Sequence, residues 1–303
     1  VKMMKRPSGV ISAMLTPWQA AAPNLNELRR IVDFQIEGGL SALFPVSSVG
    51  EAGYMTFEQK CAVINTVVEQ AAGRVPVWAG IPATTPQESI ALADAAHRAG
   101  ASGVVLMPAT FYHYDPERHA LYFAQIASAV ALPLCLYNIP FFADPLSAEL
   151  VAGLAAHPNI VGIKDSGGDA VGFMKMLALC PQADKDFSVM TGREEFFFAA
   201  LCAGAKGCVT GTAGVMPELM RRIYDLFQQG DLAAARELQM KAIPLMNLMA
   251  SLPFPLGYKL AMELRGFSMG DLQVPLTFSQ QQALQQLKQP INKEINNLLS
   301  YIQ

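Results

Sequence analysis

The sequence predicts an α/β fold, a (β/α)8 TIM barrel with a C-terminal helical extension, on three observations. Eight short apolar runs recur along the first 216 residues, stretches of helical spacing fill the gaps between them, and beyond residue 216 only helical patterns continue. The expected division places the barrel and its active site in residues 1–216 and a helical region in 217–303.

The candidate strands are 10–15, 42–45, 75–80, 103–107, 134–137, 160–164, 187–191 and 207–210. Runs as continuously apolar as Gly103-Val104-Val105-Leu106-Met107 belong to a parallel sheet covered on both faces. Helical spacing is expected over 26–37, 56–72, 86–99, 116–130, 148–156 and 194–203. Thr56 with Gln59 reads as a capping box, and Gly38-Gly39, Gly100 and Gly204 read as left-handed ends of helices. An open doubly wound sheet shares this alternation, but eight consecutive units favour closure. The tail is expected to form helices over 217–229, 232–249, 255–264 and 279–299, with Met240, Met246, Met249 and Met262 as core.

Composition narrows the function. With 52% hydrophobic and 16% charged residues, a formal net charge of −3 and a pI near 5.8, the chain has no basic surface for nucleic acid. No apolar run approaches the roughly 18 residues of a membrane span, and the start VKMMKRPSG lacks the apolar segment of a signal peptide, so a cytoplasmic location is expected. Five widely spaced cysteines suit reduced thiols, and four histidines with no ligand spacing imply no metal site.

A barrel carries its chemistry at the carboxyl ends of its strands. On Ile160-Val161-Gly162-Ile163-Lys164, a period of two turns Lys164 into the mouth, with Gly162 beneath it expected to leave room for the side chain. Burial disfavours the ammonium form of an amine, and only a neutral amine attacks a carbonyl, so Lys164 is a candidate Schiff-base nucleophile. A lysine paired with Asp165 or reaching to solvent is the alternative. Tyr137, at the end of the preceding strand, stands one strand over and would carry protons for the lysine. After the second strand, Val46-Ser47-Ser48-Val49-Gly50-Glu51 has the small residues that let backbone N–H groups converge on a carboxylate, unless Gly50 only turns the chain and Glu51 only caps the next segment.

Three motifs, Ser48-Val49-Gly50-Glu51, Tyr137-Asn138-Ile139-Pro140 and Gly162-Ile163-Lys164-Asp165, resemble in order and interval those of the dihydrodipicolinate synthase and N-acetylneuraminate lyase family of pyruvate-dependent class I aldolases. The resemblance covers almost the whole chain. It implies that Lys164 condenses with the 2-keto group, that Tyr137 relays protons, and that Ser48 links the tyrosine to solvent. Val49 replaces the family's usual second hydroxyl. Phe111, with Tyr112 beside it, falls where the synthase branch has a tyrosine donated to a neighbouring subunit, and Phe142 falls where that branch has a carboxylate-binding arginine. A phenylalanine offers a carboxylate no hydrogen bond, which argues against synthase activity. Gly192-Arg193-Glu194-Glu195 resembles the acidic pair of the sialic-acid lyase branch, so Glu194 and Glu195 are expected to read hydroxyls and Arg193 a distal carboxylate, with a solvated helix start as the alternative. Val209, on the last strand, is expected at the same rim.

The expectation is a lyase that makes or breaks a C–C bond between pyruvate and an aldehyde, on a hydroxylated, sugar-acid-like 2-keto substrate, with no cofactor and as a homotetramer. A 2-keto-3-deoxy sugar acid dehydratase, 4-hydroxy-tetrahydrodipicolinate synthase and a non-catalytic small-molecule-binding barrel are the alternatives.

Overall fold

Strands buried along their whole length need cover on both sides, and a ring of helices around a closed sheet supplies it. The computed structural model describes residues 6–180 and 187–302. In it eight parallel strands, β1 (Gly9–Ala13), β2 (Ala42–Phe44), β3 (Trp78–Gly80), β4 (Gly103–Leu106), β5 (Leu134–Asn138), β6 (Ile160–Asp165), β7 (Ser188–Thr191) and β8 (Gly207–Thr210), are buried at every residue. They pair in the order β2-β1-β8-β7-β6-β5-β4-β3, and a bridge from Leu43 to Val77 joins β2 to β3. The sheet is therefore a closed barrel rather than the open alternative.

The helices begin where the sequence places caps. Thr56 and Gln59 form both bonds of a capping box at the start of α2 (Phe57–Ala71). Thr85, Asp115 and Ser147 accept backbone N–H groups at the starts of α3 (Pro86–Ala99), α4 (Pro116–Ala129) and α5 (Ala148–Ala155). Gly39, Gly100 and Gly204 adopt left-handed conformations as expected, whereas Gly38 does not: it is the C-cap of α1 (Leu25–Glu37) at φ −70° and packs on Pro217. The helix α6 (Ala170–Leu179) follows β6. The helix expected over 194–203 is split into a 3-10 turn at Glu194–Phe196 and α7 (Phe197–Cys202). A hairpin of Trp18–Gln19 with Ala22–Pro23 is too short for a sequence period and was not expected.

The boundary expected at residue 216 falls inside the eighth βα unit. The five-residue α8 (Gly211–Val215) is followed by α9 (Pro217–Gln228), which lies beside α1, where Arg221 Nη1 donates to Gly39 O at 3.1 Å. The appended part thus consists of α10 (Leu232–Ala250), α11 (Leu256–Leu264) and α12 (Phe278–Ile302). Met246, Met249 and Met262 are core as expected, but Met240 is exposed. Among the described residues all cysteines are free thiols, and no helix is long and apolar enough to cross a membrane.

Ile11, Phe44, Trp78, Val105, Cys135, Met190 and Val209 line the barrel interior with Lys164, and Pro7 stands at the opposite end. The first and last strands of the chain come together at a glycine pair. Gly9 faces Gly207 across the β1–β8 seam, and a Cβ on Gly207, where φ is +151°, would run into Gly9 O. Gly207→Ala is expected to cost about 3 kcal/mol by overpacking and backbone strain, read as a lower denaturant midpoint at unchanged slope.

Candidate active site

Parallel register puts Tyr137 of β5 directly opposite Lys164 of β6, and the next pair, Asn138 and Asp165, fastens the strand ends together. Asn138 Nδ2 donates to Asp165 Oδ1 at 2.5 Å, and Asn138 Oδ1 accepts from Leu146 N at 2.9 Å. Asp165 also accepts from Gly167 N, and burial holds its carboxyl above the usual range. Its carboxylate is committed to β5 and to its own loop, which removes the expected alternative of a lysine neutralised by its neighbour.

Lys164 Nζ instead lies 4.0 Å from the ring centroid of Tyr137 and 5.2 Å from that of Phe44. Room for its side chain comes from Gly192, whose Cβ would stand 2.9 Å from Lys164 Cε. Gly162 serves another purpose than expected: a Cβ there would meet Ser188 O at 2.7 Å, so it admits the neighbouring strand. Tyr137 OH is 3.0 Å from Ser48 Oγ, which completes a line of amine, phenol and hydroxyl.

The loop that carries Ser48 is wound tightly on Ser47, whose Oγ donates to Met14 O and accepts from Gly50 N. Glu51 N donates to Ser48 O and Ala52 N to Ser47 O. This leaves the amides of Gly50 and Glu51 engaged, while those of Val46, Ser47, Ser48 and Val49 have no intrachain acceptor among the described residues, and of these Ser48 and Val49 border the lysine's cavity. Val46 and Glu51 hold φ values of 57° and 61°, a conformation that a β-branched residue adopts only under constraint.

Two of the expected substrate groups are occupied elsewhere. Glu51 Oε2 accepts from Trp18 Nε1 at 3.1 Å and from Lys259 Nζ at 2.9 Å, so its carboxylate anchors the loop from below and caps no helix. Glu194 accepts from Thr212 N at 2.9 Å through Oε2 and from Tyr258 OH at 2.6 Å through Oε1. Each of its oxygens holds a protein donor, so the carboxylate fastens the loop after β7 while still bordering the cavity. Burial raises the Glu194 carboxyl and, with Glu194 beside it, pushes the Tyr258 phenol well above its usual range. Arg193 pairs loosely with Glu195, Nε to Oε2 at 3.7 Å, and both side chains stay partly exposed.

The sequence reading missed Trp18, Tyr258 and Lys259. The last two are consecutive on α11, and they hold the loop after β7 and the loop after β2 respectively, which makes the appended helices part of the mouth. A lysine inside the apolar segment 255–264 was the available signal, because such a residue is buried only with a partner.

Lys164, Tyr137, Ser48, Val49, Phe142, Gly192, Arg193, Glu194, Glu195 and Val209 all face one cavity of about 420 Å3. Ser48, Tyr137 and Phe142 also border a neighbouring cavity of about 510 Å3, which Glu51 joins. Phe111 and Tyr112 are 74% and 65% exposed and line neither, so they are not substrate-binding residues of the chain's own site.

A barrel with an inward lysine, a tyrosine and a hydroxyl in contact at its carboxyl mouth is the equipment of a lysine-dependent lyase. The model of the dihydrodipicolinate synthetase family matches residues 6–294, and the chain belongs to that family of pyruvate-dependent class I lyases. Curated relatives named 4-hydroxy-tetrahydrodipicolinate synthase include those of Geobacter metallireducens, 35% identical, and Trichlorobacter lovleyi, 36% identical, each over 88% of this chain and 92% of its own. A monomeric dihydrodipicolinate synthase variant superposes with a TM-score of 0.89 at 27% identity, over 97% of both chains. YagE of Escherichia coli K12, solved in complex with pyruvate, gives 0.88 at 26% identity over 95% of this chain and 98% of its own.

Lys259→Met strands a buried carboxylate and is expected to cost about 3–5 kcal/mol in chemical denaturation, part of which Glu51→Gln added to it restores. Because the folded state raises the Glu194 pKa, the stability this residue contributes is complete below its ordinary value of 4.5 and is lost as pH rises through the folded value. Glu194→Gln is therefore expected to flatten the decline of stability with pH above 4.5, leaving the share due to Asp165.

Proposed function

We propose that this chain joins pyruvate to an aldehyde, or cleaves the product, through an imine on Lys164. The observation that carries the reading is the contact of Lys164 Nζ with the Tyr137 ring, whose hydroxyl is bonded to Ser48. Lys164 Nζ attacks C2 of pyruvate, and the resulting carbinolamine loses water to form the imine. A proton then leaves C3 and the enamine forms. Its C3 bonds to the aldehyde carbon, the new alkoxide takes a proton from the Tyr137 side of the site, and water hydrolyses the imine to release a 4-hydroxy-2-oxo acid and free lysine. The imine is the electron sink, so the sequence of steps calls for no cofactor. The free amides of Ser48 and Val49 suit the pyruvate carboxylate, and Ser48, which borders both cavities, suits a proton path out of the site.

The relatives' names support C–C bond chemistry over dehydration. They also favour joining pyruvate to an aldehyde, as in a synthase, over cleaving a sugar acid. A second reading, cleavage of a hydroxylated 2-keto acid, draws on the polar pair Arg193 and Glu195. Assembly as a homotetramer belongs to the same proposal, and light scattering reads it directly.

Incubation with pyruvate and borohydride is expected to leave a reduced three-carbon adduct on Lys164, located by peptide mass mapping. Tyr137→Phe should lower turnover by about 10²–10⁴-fold while the fold is kept, as loss of a proton relay does. A protein that binds pyruvate without any adduct on Lys164 would be a binding barrel, not a lyase.

A further inference from the structure

Beyond the lysine, the cavity turns apolar. Its far wall is made by Ile139, Phe142, Met249, Leu252 and Phe254, drawn from the loop after β5, the end of α10 and the segment between α10 and α11. The aromatic rings run in sequence: Phe141 to Phe142 at 4.9 Å, Phe142 to Phe254 at 5.8 Å, and Phe254 to Tyr258 at 6.1 Å between centroids. The last ring is tied down by its hydroxyl on Glu194. Phe141, Phe142 and Phe254 are 78%, 41% and 43% exposed, so the row stands open to the cavity side and to solvent. Polar recognition on this side is sparse. Glu194 is held by Thr212 and Tyr258, Val49 has no hydroxyl, and the charged pair Arg193 and Glu195 comes from the loop after β7 rather than from this wall. A carboxylate or a polyol placed against this wall gives up hydration without replacement bonds, whereas an apolar group loses nothing and a ring gains edge contacts.

We infer that the acceptor aldehyde carries an apolar substituent of aromatic size, seated on the Phe142–Phe254 wall beside Lys164. The inference rests on the imine reading above and narrows its second substrate.

The test begins with borohydride trapping of pyruvate on the intact protein, which reports the imine alone. Condensation of pyruvate is then followed with benzaldehyde, aspartate semialdehyde and glyceraldehyde, on the native chain and on Phe142→Arg, with rates normalised to the fraction of trapped sites. Benzaldehyde is expected to exceed both polar aldehydes in kcat/KM by at least about tenfold, and Phe142→Arg to shrink that ratio by about tenfold in favour of aspartate semialdehyde. A polar aldehyde matching or beating benzaldehyde, a ratio unmoved by Phe142→Arg, or trapping with no condensation of any of the three would overturn the acceptor assignment and leave the imine standing. Absence of trapping would overturn both.

Discussion

Closure of the strand ring is the constraint from which the other features follow. Eight parallel strands with both faces buried have no solvent-exposed edge to spare, and the first and last pair along their length, starting where Gly9 and Gly207 let two backbones approach. Once the ring is closed, alternate side chains must fill the interior, and every inward residue at the carboxyl end of a strand is delivered to the same small mouth. Lys164 and Tyr137 come together in this way: they are neighbours because β5 and β6 pair in register, and Asn138 and Asp165 secure that register one residue further on.

The mouth contains more carboxylates than its chemistry uses. Glu51, Asp165 and Glu194 are all buried, and each is satisfied by the protein itself: Glu51 by Lys259 and Trp18, Asp165 by Asn138 and Gly167, Glu194 by Tyr258 and Thr212. A buried carboxylate without such partners would carry a large desolvation cost, so these groups act as fasteners for the loops. Two of the fasteners reach α11 through consecutive residues, which is the physical reason that the appended helices belong with the barrel's site. The result is a lysine beside aromatic rings and small residues, with the carboxylates of Glu51, Asp165 and Glu194 bonded to other groups of the protein.

This division of labour separates two halves of the cavity. Around Lys164 stand Tyr137 and Ser48, the groups to which the proposed imine chemistry is assigned, supplied by β5 and the loop after β2. Farther out, the wall is supplied by the loop after β5 and by the segment leading into α11, which are the parts of a barrel free to vary without disturbing closure. Family membership therefore speaks most directly to the first half, and the side chains of this chain speak to the second.

The strands, most of the caps and the placement of Lys164 and Tyr137 at one mouth were legible in the sequence because each is local. A continuous apolar run, a threonine three residues before a glutamine, or a lysine at the right parity of a strand carries its meaning within a few residues. Phe142 was legible too, as the absence of a cation. What only the tertiary structure decided are the partnerships across long separations: Glu51 with Lys259, Glu194 with Tyr258, Gly192 rather than Gly162 making room for Lys164, and α9 joining the barrel instead of the tail. A glutamate next to a candidate site reads the same in sequence whether it faces substrate or a lysine some two hundred positions away. The choice is made by which group neutralises the buried charge, and that depends on packing in three dimensions.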